Sequence, residues 1–121
     1  MAKKQFLDVV VEKKRWYRGQ GSDDSALLLA KGAKMCCIGF LARTCGVKPK
    51  EMRGISDVAL LPRIKDEGLP YQALHQIFKQ EGYNLEAAYR TNDNRYVSEA
   101  VRIKQLKILG RKLGVNFTFG D

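Results

Sequence analysis

The sequence predicts an α+β fold, in which several helices pack on one face of a small antiparallel β-sheet. The clearest helix covers residues 98–113, because Ser98 is a good N-cap and Gly114 suits the left-handed residue that ends a helix. Its apolar face is predicted from Val101, Leu106, Leu109 and Leu113. The following residues, VNFTF at 115–119, alternate apolar and polar side chains as a half-buried strand does. We therefore expect a single domain, residues 1–121, with its own core.

The N-terminal part of the chain is predicted to supply the other two strands. Residues 3–14 combine apolar side chains at helical spacing with the β-branched run Val9–Val11, and we favour a helix there. Short strands are then expected at Arg15–Tyr17 and Ala26–Ala30, separated by a loop with two glycines and an acidic turn. With Val115–Phe119 they form the predicted sheet, whose strand order the sequence leaves open.

The middle of the chain is predicted to be helical. Apolar side chains cover more than half of the helical wheel of Cys36–Cys45, which is the pattern of a largely buried helix that Gly46 ends. Pro49 suits the first turn of a short following helix. A longer helix is expected over residues 70–82, and a further helical turn within residues 84–96. No stretch reaches the ~20 apolar residues of a membrane span, so we expect a cytoplasmic protein.

Positive charge is concentrated at the two ends of the chain. The formal net charge is +9, and it divides into +7 for residues 1–50, −2 for residues 51–100 and +4 for residues 101–121. If the two ends lie close in space, one face becomes a basic patch that suits phosphates or an acidic protein. The alternative is a solvated surface that only keeps the protein soluble.

Two groups of residues are the candidates for such a patch. The first lies on the last helix, opposite its leucines, and consists of Lys104, Lys107 and Arg111. Like charges at i,i+4 cost a helix roughly 0.3 kcal/mol, so a stripe that tracks phosphates is one interpretation of this group. The second group, within KKRWYRGQG, consists of Arg15, Trp16 and Arg18. Basic residues around an aromatic ring can pair with phosphates and stack on bases.

The three cysteines predict neither a disulfide nor a metal site. Their odd number in an intracellular chain indicates reduced thiols. A structural zinc site needs four donors that converge, whereas the adjacent Cys36 and Cys37 diverge by about 100° on a helix. The RGQG turn at residues 18–21 lacks the third glycine of a dinucleotide-binding loop. We therefore expect no metal and no cofactor.

Cys37 is nevertheless a candidate nucleophile, because a thiol at a helix N-terminus feels the positive end of the helix dipole. The stretch MCCIGFLARTCGV resembles the start of the catalytic helix in bacterial cell-wall cysteine peptidases of the NlpC/P60 class. That resemblance implies Cys37 as the nucleophile and a histidine on a later strand as its base. The single histidine, His75, lies within a predicted helix instead. We favour cysteines that act as small buried apolar residues, with a papain-like hydrolase using Cys37 and His75 as the alternative.

A wider resemblance involves the RGQG turn, the short apolar strand after it, the segment KMCCIGF and the final GVNFTF. Together these features resemble small accessory proteins of tailed bacteriophages and prophages over residues 15–119. The resemblance implies a bacterial cytoplasm as the setting and binding to host machinery as the mode of action. We therefore predict a non-enzymatic phage accessory protein, of the host-takeover or anti-defence kind, that binds nucleic acid or an acidic host protein.

Overall fold

The structure, a computed structural model, describes residues 7–18, 27–28, 32, 34–55, 61, 72–94 and 96–120. In chain order its elements are β1 (Leu7–Glu12), a 3₁₀ turn (Lys13–Arg15), α1 (Cys37–Thr44), α2 (Pro49–Met52), α3 (Gln72–Gln80), α4 (Gly82–Asp93), α5 (Glu99–Leu113) and β2 (Val115–Gly120). Helices and a small sheet share one chain, which confirms the α+β class. None of the helices in this described part combines the length and apolar character that crossing a membrane requires.

The sheet consists of β1 and β2, which pair in parallel with Leu7 opposite Val115 and Glu12 opposite Gly120. The prediction of an antiparallel sheet is therefore wrong. Parallel neighbours need a crossover connection, and here the helices between the two strands return the chain so that both strands run in the same direction. The pairing also brings the first and last described segments of the chain side by side.

The first strand replaces the helix predicted over residues 3–14, of which residues 7–14 are described. Val9 and Val11 are fully buried, whereas Val10 between them is exposed, and this alternation is that of a strand. The stiff side chains of β-branched residues fit a pleated surface better than a helix. The helical spacing of the apolar residues in this segment was thus coincidental.

Two further strands were predicted near the N-terminus, and neither forms as a strand in the described residues. At Arg15–Tyr17 the chain makes one parallel bridge, between Trp16 and Met35, after the 3₁₀ turn. Of the predicted strand Ala26–Ala30 only residues 27 and 28 are described, and Leu28 makes a single bridge to Arg53. The other residues of that prediction lie outside the described part of the chain.

The buried central helix is confirmed as α1. Residues 37 to 42 are all buried in one run, and the following Gly46 has a positive φ of 102° that ends the helical path. Gly39 lets this helix approach another backbone: a Cβ there would meet the carbonyl oxygen of Leu27, with the carbonyl carbon at 2.8 Å. The short helix that begins at Pro49 is also confirmed.

The C-terminal half forms a layer of helices behind the sheet, in which α3 packs on α4, α4 on α5, and α5 on β2. The predicted ends of α5 are confirmed, because the Ser98 hydroxyl accepts a hydrogen bond from the Val101 amide and Gly114 has φ 81°. The predicted boundary at Gly82 is wrong, since this residue begins α4 and α3 ends at Gln80. Residues 84–96 contain most of a 12-residue helix, longer than the predicted turn.

The apolar face predicted for α5 needs one correction. Its buried line consists of Arg102, Leu106, Gly110 and Leu113. Leu109 is half-buried beside this line, whereas Val101 is 42% exposed and lies on the opposite side of the helix. Gly110 lets the ring of Phe117 in β2 pack directly on the backbone of α5. A Cβ at position 110 would lie 2.6 Å from that ring. The tight contact between α5 and β2 therefore fixes which side of α5 faces solvent.

Candidate functional site

Asn92, at the end of α4, is the centre of a buried hydrogen-bond network that joins three distant segments. Its Oδ1 accepts bonds from Trp16 Nε1 at 2.7 Å and from the Cys37 amide at 3.1 Å. Its Nδ2 donates to the Tyr17 carbonyl at 3.0 Å and to Asp93 Oδ1 at 3.1 Å. A carboxamide offers two donors and two acceptor sites, so Asn92 uses all of them. We call these residues the Asn92 network.

The same network caps the N-terminus of α1, the helix that begins at Cys37. Cys36 takes the N-cap position of α1, but no side-chain hydrogen bond of its own caps the helix. Instead the Cys37 amide, one of the donors that a helix N-terminus leaves unpaired, donates to Asn92 from another helix. A residue that is 55 positions away in sequence thus performs the task that a local Ser or Asp usually performs.

The two adjacent thiols lie in the core and are protonated at neutral pH. Cys36 and Cys37 are both 0% exposed. Burial raises the pKa of Cys36 to about 12. Burial also raises the pKa of Cys37 well above its usual range, and the neighbouring Cys36 and Asp93 raise it further. Desolvation therefore outweighs the favourable helix dipole, which was the reason for proposing Cys37 as a nucleophile.

The predicted base, His75, lies on α3 and is itself buried. A cysteine hydrolase needs a thiolate that substrate can reach, and Cys37 has neither solvent access nor a lowered pKa. The remaining thiol, Cys45, is half-buried at the end of α1, and burial raises its pKa to about 11. All three thiols thus behave as small apolar groups in this structure.

Arg102 extends the network towards α5. It is 6% exposed, and its guanidinium points at the C-terminal end of α4. Nη1 donates to the carbonyl oxygens of Arg18 at 2.8 Å and Asn92 at 3.1 Å, while Nη2 donates to the carbonyl of Asn94. A cation suits this position because the C-terminal end of a helix carries partial negative charge.

Burial lowers the pKa of Arg102 from its ordinary value, and the nearby Arg18 lowers it further, whereas Asp93 and Glu99 oppose the shift. An arginine remains charged under such a shift, because its ordinary pKa is far above neutral. Arg102 is therefore a structural cation that holds together the end of α4, the segment at Arg18 and its own helix α5.

Trp16 and Arg18, two of the three residues of the group predicted near the N-terminus, make contacts within this network. Trp16 is 1% exposed and packs on the ring of Phe119, with 4.9 Å between ring centroids. The Arg18 guanidinium lies 4.6 Å from the centre of the Trp16 ring and forms an ion pair with Glu99. Arg15 is half-exposed and lies 3.7 Å from a carboxylate oxygen of Glu12. Trp16 therefore has no open face for a base, which corrects its predicted role.

The other predicted group lies on the opposite side of α5 and is open to solvent. Lys104, Lys107 and Arg111 are all exposed, and none of them forms an ion pair with a carboxylate of the described residues. The sequence has no Asp or Glu at all between positions 100 and 120. Besides these cations, the exposed side carries Lys112 and two aliphatic residues, Val101 at 42% and Ile108 at 53% exposure. We call these six residues the α5 face.

The two predicted basic groups do not merge into one patch. Glu99, which holds Arg18, and Lys104 are about 140° apart around the helix axis at about 100° per residue. The parallel pairing of β1 with β2 does bring the first and last described strands side by side. The α5 face nevertheless lies on a different side of the helix from Glu99 and Arg18.

The sequence did not predict a role for two residues of these sites, Asn92 and Arg102. Asn92 and Arg102 sit in helices, where polar residues are usually solvated, and their partners are distant in sequence. One signal was present: Arg102 lies at i,i+4 from Leu106, on the side of the predicted leucines. Within the described residues, no group of three or more His, Cys, Asp or Glu side chains is placed to hold a metal ion.

Comparison of the chain with protein-family models, with curated proteins and with solved structures finds no match in any of the three. The resemblance to phage accessory proteins therefore stays a prediction.

Proposed function

We propose that the chain is a non-enzymatic binding protein whose α5 face engages a polyanionic partner. One observation carries this proposal: Lys104, Lys107 and Arg111 project from one capped helix without a carboxylate partner among the described residues. Clustered like charges cost a helix stability, so helix formation alone does not favour this arrangement. Cations on a rigid helix attract a polyanion while losing little conformational freedom on binding.

The partner classes are those expected from the sequence, nucleic acid or an acidic host protein. A role in phage takeover of a bacterial host, in the host cytoplasm, is part of this proposal and rests on the resemblance alone. Arg15, Trp16 and Arg18 are left out of the contact surface, because Trp16 is buried and Arg18 is paired with Glu99. Cysteine hydrolysis gains no support, since Cys37 is buried and its pKa is raised.

Charge reversal on α5 tests the proposal against the general effect of net charge. One variant combines Lys104→Glu, Lys107→Glu and Arg111→Glu. The matched control reverses three other exposed lysines, Lys14, Lys48 and Lys79. Because each reversal lowers the net charge by two, both variants carry +3 in place of +9.

The measurement is the NaCl concentration at which each variant elutes from immobilised heparin. We expect the α5 variant to elute at a lower concentration than the control, because clustered cations release more counterions on one polyanion than scattered cations do. Equal elution of the two variants would refute the proposal. Far-UV circular dichroism shows whether each variant is folded, and a pulldown from bacterial lysate, with and without nuclease, separates nucleic-acid from protein partners.

A further inference from the structure

The α5 face has an apolar centre. Val101 and Ile108 are seven residues apart, so they lie on the same side of the helix, about 10 Å from each other along its axis. Both are substantially exposed. β-Branched residues are not the best helix formers, so helix propensity does not explain aliphatic side chains at these solvent-facing positions. A single exposed aliphatic residue is ordinary, but two aligned on one charged face form a pattern.

Cations flank this apolar pair on both sides. On a wheel with about 100° per residue, Lys104 and Arg111 lie about 40–80° to one side of the pair, and Lys112 lies about 20–40° to the other. An apolar centre with a charged rim is the anatomy of a protein–protein interface. Positions i and i+7, which Val101 and Ile108 occupy, are also among the anchors that a helix uses when it docks into a groove of another protein.

Nucleic acid matches this arrangement less well. Phosphate contacts need cations and hydrogen-bond donors, and the bases are read mainly by polar side chains. Two aliphatic side chains in the centre of a phosphate-binding stripe would lie against charged oxygens and gain little. Resting on the proposed function, we infer that the partner of the α5 face is a protein with an apolar cleft rimmed by acidic side chains, into which Val101 and Ile108 insert.

The experiment uses two synthetic acidic helical peptides of equal charge. One carries a stripe of leucines at helical spacing, and the other has glutamine at each leucine position. Fluorescence anisotropy at about 0.15 M salt gives the affinity of the full chain for each peptide and for a 20-nucleotide single-stranded DNA. The double variant Val101→Gln and Ile108→Gln removes the apolar pair without changing the charge, and glutamine keeps helix propensity.

We expect the wild-type chain to bind the leucine peptide about tenfold more tightly than the glutamine peptide, since burial of two half-exposed aliphatic side chains favours the former. The double variant should lose this preference and keep its affinity for DNA. Equal affinity for both peptides, or a preference that survives in the double variant, would overturn the inference. So would self-association through this face, seen as a dimer in size-exclusion chromatography that the double variant abolishes.

The two proposals fail in different ways. If Lys104→Glu, Lys107→Glu and Arg111→Glu together weaken binding of both peptides and of DNA, the proposed function stands whatever the peptides show about Val101 and Ile108. If that triple variant binds all three probes as the wild type does, the proposed function itself is refuted.

Discussion

Replacement of Asn92 by alanine should destabilise the fold strongly, because its carboxamide makes four hydrogen bonds to other groups of the chain. The change removes the acceptor for Trp16 Nε1 and for the Cys37 amide. It also removes the donor to the Tyr17 carbonyl and to Asp93. The backbone of α4 keeps its helical bonds, so the effect is confined to the Asn92 network.

The magnitude follows from the groups that lose a partner. A buried donor left without an acceptor costs about 1–3 kcal/mol, and both Trp16 Nε1 and the Cys37 amide become such donors. These losses are not additive, because water can enter the polar space that the carboxamide leaves. We therefore expect the free energy of unfolding to fall by about 3 kcal/mol. For a chain of 121 residues this corresponds to a melting temperature lowered by about 12 °C.

The assay is urea unfolding followed by tryptophan fluorescence. Trp16 is the only tryptophan of the chain, so its emission reports directly on the network. With a slope of about 1.5 kcal/mol per molar urea, the midpoint should fall by about 2 M. The matched control is Asn116→Ala, whose exposed carboxamide bonds to Asp8 and whose loss should cost under about 0.5 kcal/mol.

A loss below about 1 kcal/mol for Asn92→Ala, or a loss equal to that of the control, would refute the assignment of Asn92 as the centre of the network. A double-mutant cycle with Trp16→Phe, followed by far-UV circular dichroism, gives a second check. In the Trp16→Phe background the indole donor is already gone, so Asn92→Ala should cost about 1 kcal/mol less. An unchanged cost would show that the two side chains are not coupled.

Four further outcomes are expected from the same structure. Arg102→Met should lower the free energy of unfolding by about 3 kcal/mol in urea titrations, because three carbonyl oxygens lose their donor; a change below about 1 kcal/mol would contradict this. Gly39→Ala should lower the free energy of unfolding by more than about 3 kcal/mol, since its Cβ would collide with the backbone carbonyl of Leu27. A melting temperature equal to that of the wild type would disprove this close approach. Ellman's reagent at pH 8 should label Cys36 and Cys37 only after unfolding, because both thiols are fully buried in the folded chain. Stability should also fall as pH rises from about 9 towards 12, because unfolding releases Cys36 to its ordinary pKa of 9.0 from about 12, and a flat profile would contradict its burial.

Local signals predicted two helices of this chain, α1 and α5, correctly. The N-cap at Ser98 and the left-handed Gly114 delimit α5 because both act on the backbone within one turn of the helix. The apolar wheel of the cysteine segment likewise predicted a buried α1. These features could be recognised because their physical causes lie within a few residues of one another.

The sheet could not be predicted in this way. The partners in β1 and β2 come from opposite ends of the chain, so their parallel pairing depends on how all the intervening helices pack. Residues 7–12 satisfied a helical pattern and a strand pattern at once, and only the pairing partner decides between them. The prediction of an antiparallel sheet left residues 7–12 out of the sheet, so it did not include the crossover connection that joins two parallel strands.

The same difference between local signals and contacts of distant residues applies to the candidate sites. Exposed cations on α5 were predicted correctly as exposed, because a helical wheel places them opposite the leucines. The positions of Trp16 and Arg18 were not predicted correctly, because they depend on contacts with Asn92 and Glu99, which are distant in sequence. A cluster of aromatic and basic residues in a sequence therefore needs its three-dimensional partners before it can be assigned to a surface.

The net positive charge of α5 lies mainly on its outer side, because among the described residues only the cations on the inner side have carboxylates beside them. On the inner side, the cations Arg18 and Arg102 are accompanied by the carboxylates of Asp93 and Glu99, so the charges on this side nearly cancel. On the outer side, no carboxylate in the sequence between positions 100 and 120 offsets the lysines and the arginine. Because the inner side is neutral and fixed by hydrogen bonds, the field of the α5 face is not cancelled from beneath, and its cations keep a defined spacing. The Asn92 network thus holds the helix in place, and the α5 face is the surface that we propose binds a partner.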